Sequence, residues 1–272
     1  MKEKSHAVFI DRKINRITYL DMRFNECDDA KGEYVPGATT ILNAAPKDAS
    51  FYEWLKKYGS ATDTVVAEAM EKGSKVHNAT ELYDKGISVN CLSDTDSPLY
   101  SSEEWNMIHK YVEFSEKYRP EVLYNESAYA LKSLGYGGTL DRVVSMQGET
   151  WLLDIKTGNM YEYYWFQLAA YKYLFEAWQM FEWGEVRTPI DRIGIIHLNA
   201  KTRGEDKTGK EIQGQGWCIE IPDNWTKVKN PIDYYYKLFC SVKDVWNWQN
   251  PTMKPKNKIF TLTVQKQLQE AL

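Results

Sequence analysis

Alternation of apolar and polar positions is clearest in the middle of the chain. There EVLYNESAYAL, GGTLDRVVSM and TWLLDIK each read as a strand. A short turn at Gln147 and Gly148 joins the last two, so the run predicts an antiparallel meander. Upstream, HAVFIDRKINRITYLDM alternates around a polar turn and predicts a hairpin of two short strands decorating the fold. In VPGATTILNAAPKDASFYEWLKKYG, Pro36, Gly37 and Pro46 punctuate two short helical segments. Between Asp63 and Asp84, Val65, Ala69, Val76 and Tyr83 give one apolar side of a helix that Gly73 interrupts. A helical glycine costs about 1 kcal/mol relative to alanine, which suggests a close approach to the backbone there. Further helices are predicted over Glu103 to Lys117, ended by Pro120, and over Glu162 to Trp178. Strands RIGIIHLNA and GWCIEIP follow, separated by a charged, glycine-rich loop; Asn230 and Pro231 then open a last helix. The pattern predicts an α/β fold with a mixed central sheet flanked by helices.

Composition narrows the function classes. A chain of 272 residues, 43% hydrophobic, can bury one substantial core without disulfides or structural metal. No stretch approaches the roughly 20 apolar residues of a membrane span, and the N-terminus lacks the apolar run of a signal peptide, so a soluble, cytoplasmic protein with no membrane partner is expected. Cys27, Cys91, Cys218 and Cys240 form no CxxC pair, which argues for reduced structural thiols and against a zinc knuckle or an iron–sulfur cluster. A formal net charge of −4 excludes coating nucleic acid by bulk electrostatics but allows local grip around an acidic metal site. The 10 Trp and 19 Tyr could stack on unpaired bases, although core packing is the plainer reading of each.

Chemistry concentrates in LLDIK. Side chains alternate along a strand, so Asp154 and Lys156 project together while Leu153 and Ile155 face a core. The tight turn brings Asp141, from GGTLD, beside Asp154 at a cross-strand distance of about 5 Å. Two carboxylates that close repel unless they share a proton or a divalent cation, and oxygen ligands favour Mg²⁺ or Mn²⁺.

Asp141 followed by Asp154-Ile155-Lys156 resembles the PD-(D/E)xK nuclease motif in its RecB-like and phage exonuclease branch. KGSKVHNATE resembles that branch's helical motif and puts His77 in a metal-ligand position. Glu126 stands where the branch carries an acidic residue, and QLAAY is similar to its Gln-x-x-x-Tyr motif, here Gln167 and Tyr171. VPGATTILNAAP is similar to a segment upstream in phage members, so the resemblance spans roughly residues 34 to 200. The sequence departs where the family's name has proline, here Leu140, and the cysteines that ligate a cluster in some relatives are missing.

The resemblance implies a restriction-endonuclease-like core over residues 36–250, with 1–35 as the decorating hairpin and loop and 251–272 as a basic tail. It implies a metal-dependent exonuclease acting on DNA, on duplex ends or a single strand, in phage recombination, replication or repair. A recombination or single-strand-binding protein is a compatible partner. His77, Asp141 and Asp154 would be metal ligands, with the carbonyl of Ile155. Lys156 would orient or deprotonate the attacking water. Glu126 would bind a second metal or the water, or is a solvated strand carboxylate. Gln167 and Tyr171 would contact the phosphate or order Lys156, or are a packed helix pair. Glu81 would orient His77, or is an exposed charge; His77 without its motif would read as a satisfied core histidine. Lys201, Arg203, Lys207 and Lys210 would grip DNA, or belong to a solvated hairpin; Lys254, Lys256 and Lys258 carry the same two readings. A structure-specific or single-strand endonuclease, a nuclease acting on RNA, and a non-catalytic DNA-binding recombination module are the competing functions.

Overall fold

The structure is a computed structural model that describes residues 12–20, 22–47, 49–205, 211–222, 227–252 and 255; the side chains of 50, 200–205 and 211–216 are not described. The meander is the centre of the molecule. Strands β4 (Glu121–Leu131), β5 (Tyr136–Met146) and β6 (Glu149–Lys156) pair antiparallel, and Gln147 and Gly148 both turn at positive φ, 55° and 82°. A two-residue turn with both φ positive matches the twist of the strands it joins, which fixes the register Met146↔Glu149 to Arg142↔Leu153.

From β6 the chain crosses through helix α5 (Tyr163–Trp183) to β7 (Arg192–Glu205), parallel to β6, and β8 (Glu211–Glu220) closes the sheet in the order β4-β5-β6-β7-β8. A parallel pair needs such a crossover and comes to lie buried on both faces. Leu153, Ile155, Ile196 and Leu198 pack with Val76 of α3 (Thr62–Asp84) and Met107, Ile108 and Phe114 of α4 (Ser102–Tyr118). On the other face Leu152, Ile193 and Ile195 meet Leu168 and Phe175 of α5, Ile41 of α1 (Ala38–Leu42) and Phe239 of α6 (Pro231–Gln249). The architecture is α/β, a mixed sheet flanked by helices.

Several details differ from the pattern reading. The N-terminal hairpin is made by β1 (Arg16–Tyr19) and β2 (Met22–Glu26), later in the chain than expected, because Phe24 supplies the buried anchor; residues 6–11 lie outside the described residues. With β3 (Tyr34–Pro36) these strands form a second sheet. Gly37 bridges Gly137, and the backbone amide of Asp28 donates to Ala130 O at 2.8 Å, tying this sheet to the β4–β5 hairpin.

The short helix α2 (Ala49–Tyr58) precedes α3. Gly73 does not interrupt α3, which runs through it; only the C-terminal half is buried, and Val66 and Met70 face solvent. Helix α4 starts in a capping box, Ser101 with Glu104. Helix α5 runs five residues past Trp178 to a left-handed Gly184 cap. The segment read as a charged loop is largely strand, since β7 extends to Glu205 and β8 starts at Glu211: ladder pairing overrides a composition that on its own favours a loop.

Candidate metal site

The β5–β6 ladder ends where the charged residues begin, while the β4–β5 ladder runs on either side of Glu126 and Asp141. Arg142↔Leu153 is the last pair between β5 and β6, one residue short of Asp141 and Asp154. Past that point the carboxylate of Asp141 replaces the backbone pairing: its Oδ2 accepts from the Ile155 amide at 2.8 Å. Glu126 on β4 has φ 47°, in the left-handed region that a non-glycine residue rarely enters and that costs of order 1–3 kcal/mol. Its Oε1 lies 3.4 Å from His77 Nδ1 and accepts from Arg142 Nη1 at 3.3 Å.

His77, carried on the buried half of α3, completes the group. Its Nε2 is 3.0 Å from Ile155 O, and its Nδ1 is 3.5 Å from Asp141 Oδ2. All three neighbours are acceptors, so the imidazole holds protons on both nitrogens in the absence of a cation. Burial acts to lower its pKa, but Asp141 and Glu126 outweigh burial and raise it to about 9.

Asp154 and Lys156 form a second, adjoining pair. Lys156 Nζ is ion-paired with Asp154 Oδ2 and lies 4.5 Å from the centroid of the Tyr164 ring. Asp154 is 3% exposed. Burial first, then the neighbouring Asp141, push its pKa up to about 6 against the pull of Lys156. Burial disfavours the Lys156 ammonium, but Asp154 and Asp141 hold its pKa above the ordinary lysine value. Gln167 and Tyr171 are both buried on α5, with Gln167 Nε2 donating to the Tyr171 hydroxyl at 3.2 Å. A Cβ on Gly138 would come within 2.2 Å of the Tyr171 ring, so this glycine of GGTLD admits that tyrosine to the sheet, whereas a Cβ on Gly137 would meet Ala130 at 2.7 Å.

The fold therefore draws His77, Glu126, Asp141 and the Ile155 carbonyl into one cluster, with Asp154 and Lys156 beside it. Glu81 takes no part in orienting His77; it pairs with Lys85 at 2.6 Å, and Glu126 occupies the position beside Nδ1. Lys201 and Arg203 fall on β7 with side chains outside the description, and Lys207, Lys210, Lys254, Lys256 and Lys258 lie outside the described residues.

Sequence reasoning missed the support beneath the cluster. Arg142, 1% exposed, contacts Glu126, the Asp141 carbonyl at 2.7 Å, the Thr80 hydroxyl at 3.2 Å and Asp84. Asp84 also accepts from Tyr111 and Asn125. Burial acts to raise the pKa of Asp84, while Arg142 and the Tyr111 hydroxyl oppose it.

The donor set fits a hard divalent cation. Adjacent ligands of an octahedral ion bound at 2.0–2.1 Å stand about 3 Å apart, close to the 3.0 Å between His77 Nε2 and Ile155 O, while the two carboxylates lie 3.4 and 3.5 Å from the other ring nitrogen, Nδ1. One imidazole, two carboxylates and a carbonyl are predominantly oxygen, the preference of Mg²⁺ and Mn²⁺. A second group able to hold a metal, His197, Cys218 and Glu220, spans β7 and β8. Two such clusters on a mixed, helix-flanked sheet are consistent with a metal-dependent enzyme and with the restriction-endonuclease-like α/β fold in general. Compared with models of known protein families and with curated protein sequences, the chain matches none.

Proposed function

We propose that the protein is a metal-dependent deoxyribonuclease of the PD-(D/E)xK type that hydrolyses phosphodiester bonds from a DNA end. The observation that carries this reading is the convergence of His77, Glu126, Asp141 and the Ile155 carbonyl beside the Asp154–Lys156 pair at one end of the sheet. A bound divalent cation would supply positive charge to the nonbridging phosphate oxygens and acidify the attacking water. His77, Asp141 and the Ile155 carbonyl would hold it, with Asp154 or Glu126 completing the carboxylate set.

The chain's own residues then position and stabilise. Lys156 is kept protonated by its two aspartates, so it acts as a donor that orients the water and meets developing charge. Tyr164 under the ammonium restricts where that amine can go, and the Tyr171 hydroxyl, held by Gln167, lies within electrostatic reach of Asp154 and Asp141. Arg16 supports the reading of an anionic substrate: its guanidinium, donating to Asn25 Oδ1 and Thr139 Oγ1, lies within electrostatic reach of Tyr171 and Glu126 and adds positive charge there. An arginine in place of Lys156 keeps the charge but changes its shape and hydrogen-bonding geometry, so Lys156→Arg should lose activity.

The test is a time course with Mg²⁺ on 5′-labelled and 3′-labelled linear duplexes beside closed circles, single strands and RNA, with Asp154→Ala in parallel. The reading expects mononucleotide or short products from ends only, and none from the variant. Cutting of circles would favour the endonuclease, cutting of RNA would change the substrate, and binding without cutting would favour the non-catalytic module.

A further inference from the structure

The second cluster has a chemistry of its own. His197 on β7 is the register partner of Cys218 on β8, and Glu220 lies two residues further along β8, on the same face as Cys218. The ligand atoms of the three fall within 4.8 Å of one another. Cys218 Sγ donates to Glu220 Oε1 at 2.9 Å, and His197 Nδ1 is 3.5 Å from the same oxygen.

His197 is 9% exposed, and its two nitrogens are treated differently. Nε2 is 2.9 Å from the carbonyl oxygen of Gly158, an acceptor that fixes the proton on that nitrogen. Nδ1 is buried without a hydrogen-bond partner and is directed at a thiol and a carboxylate. In that tautomer a lone pair faces a carboxylate oxygen, an arrangement that calls for a cation between them. A carbonyl holding the far nitrogen of the ring is also the usual support of a metal-bound imidazole.

We propose that His197, Cys218 and Glu220 form a binding site for a zinc-class divalent ion, separate from the oxygen-rich cluster at His77. Nitrogen, sulfur and carboxylate donors together suit a borderline-soft tetrahedral ion, with the thiol proton released to solvent on binding. Tetrahedral bonds of about 2.0–2.3 Å place neighbouring donors roughly 3.3–3.8 Å apart; the His197–Glu220 spacing of 3.5 Å meets this, and the 2.9 Å Cys218–Glu220 contact would widen into it as the thiol proton leaves. Three protein ligands leave a fourth position open, and the half-exposed Glu220 side chain gives the ion a route in. The ion would fasten β7 to β8 and, through the His197 ring, to the Gly158 loop that follows Lys156. His197 is itself the register partner of Lys156, so the site stands one strand from the Asp154–Lys156 pair.

Co²⁺ is the probe, because thiolate ligation gives a near-ultraviolet charge-transfer band that oxygen sites lack. Titrated into the full chain, one equivalent of Co²⁺ should raise that band in the wild type and equally in His77→Ala. The band should vanish in Cys218→Ser, and His197→Ala and Glu220→Gln should each weaken Co²⁺ and competing Zn²⁺ at least about tenfold. Absence of the band in the wild type at saturating Co²⁺, or its survival in Cys218→Ser, overturns the proposal. Circular dichroism of each variant separates loss of a ligand from loss of the fold. Because His77→Ala keeps this site, the result is independent of whether the protein cuts DNA.

Discussion

Arg142 shows how much a single side chain can carry when it is buried. Its guanidinium joins Asp84 below the cluster to Glu126 within it, so one positive charge is shared between two carboxylates and fixes where both sit. Replacing it with methionine keeps the apolar stem but leaves the Asp84 carboxyl enclosed without its cation. Breaking a buried pair in this way costs about 3–5 kcal/mol, and urea denaturation of Arg142→Met should show it; a loss below about 1 kcal/mol would contradict the burial argument.

Asp29 gives a residue-scale prediction about pH. Its carboxylate accepts from the amides of Lys132 and Ser133 at 2.6 and 2.9 Å, at the β4–β5 turn. Partial burial works against ionisation, but these hydrogen bonds outweigh it and the pKa falls below its ordinary 3.8. A depressed carboxylate stabilises the fold at pH values above its unfolded pKa and loses that contribution as pH falls through the folded one. The stability gap between wild type and Asp29→Ala should therefore be constant above about pH 5 and shrink below about pH 4. Thermal melts across that range measure it.

Among elements, two glycines make opposite predictions. A Cβ at Gly73 would stand 3.6 Å from Thr157 Oγ1, ordinary contact, within a regular helix. Gly73→Ala should therefore stabilise by roughly 0.5–1 kcal/mol. At Gly138 the Cβ would run into the Tyr171 ring, and Gly138→Ala should destabilise by about 1–3 kcal/mol and displace that ring. Chemical denaturation of both variants decides the pair, and equal effects would refute the assignment.

The elements also explain what the sequence made visible. The meander was legible because alternation and a two-residue turn are local signals, and the same alternation exposed Asp154 and Lys156 as charges on an otherwise apolar strand. Asp84 with Arg142, and His197 with Cys218, could not be read that way. Each pair joins residues distant in the chain: the packing of α3 on the sheet brings Asp84 to Arg142, and strand pairing brings His197 to Cys218. The β7–β8 extension was hidden for a related reason, its glycines and charges having local preferences that cross-strand hydrogen bonds override.

For the whole molecule, the sheet edge and the metal matter most. The segment at Arg12 covers the open side of β4: its carbonyl accepts from the Ala128 amide at 2.7 Å, and its guanidinium lies about 5 Å from the rings of Tyr129 and Trp178. That contact blunts an edge that would otherwise invite pairing with another chain. Binding at the His77 cluster links to global stability by mass action. Mg²⁺ at 100 times its Kd should stabilise the wild type by about 2.7 kcal/mol, and Asp141→Asn should remove most of that gain in a thermal-shift titration. No helix among the described residues is long and apolar enough to cross a membrane.

The contact between His77 and Ile155 has one more consequence. The oxygen that meets the imidazole is main chain, while the Ile155 side chain is wholly enclosed on the α3–α4 face. Position 155 can thus exchange one aliphatic group for another without altering the donor presented to the histidine. Alanine scanning will register Ile155 only as packing. Its oxygen becomes accessible to experiment by backbone chemistry, such as a thioamide at that bond, which would exchange a hard donor for a soft one and should move divalent-ion binding at the cluster toward thiophilic ions.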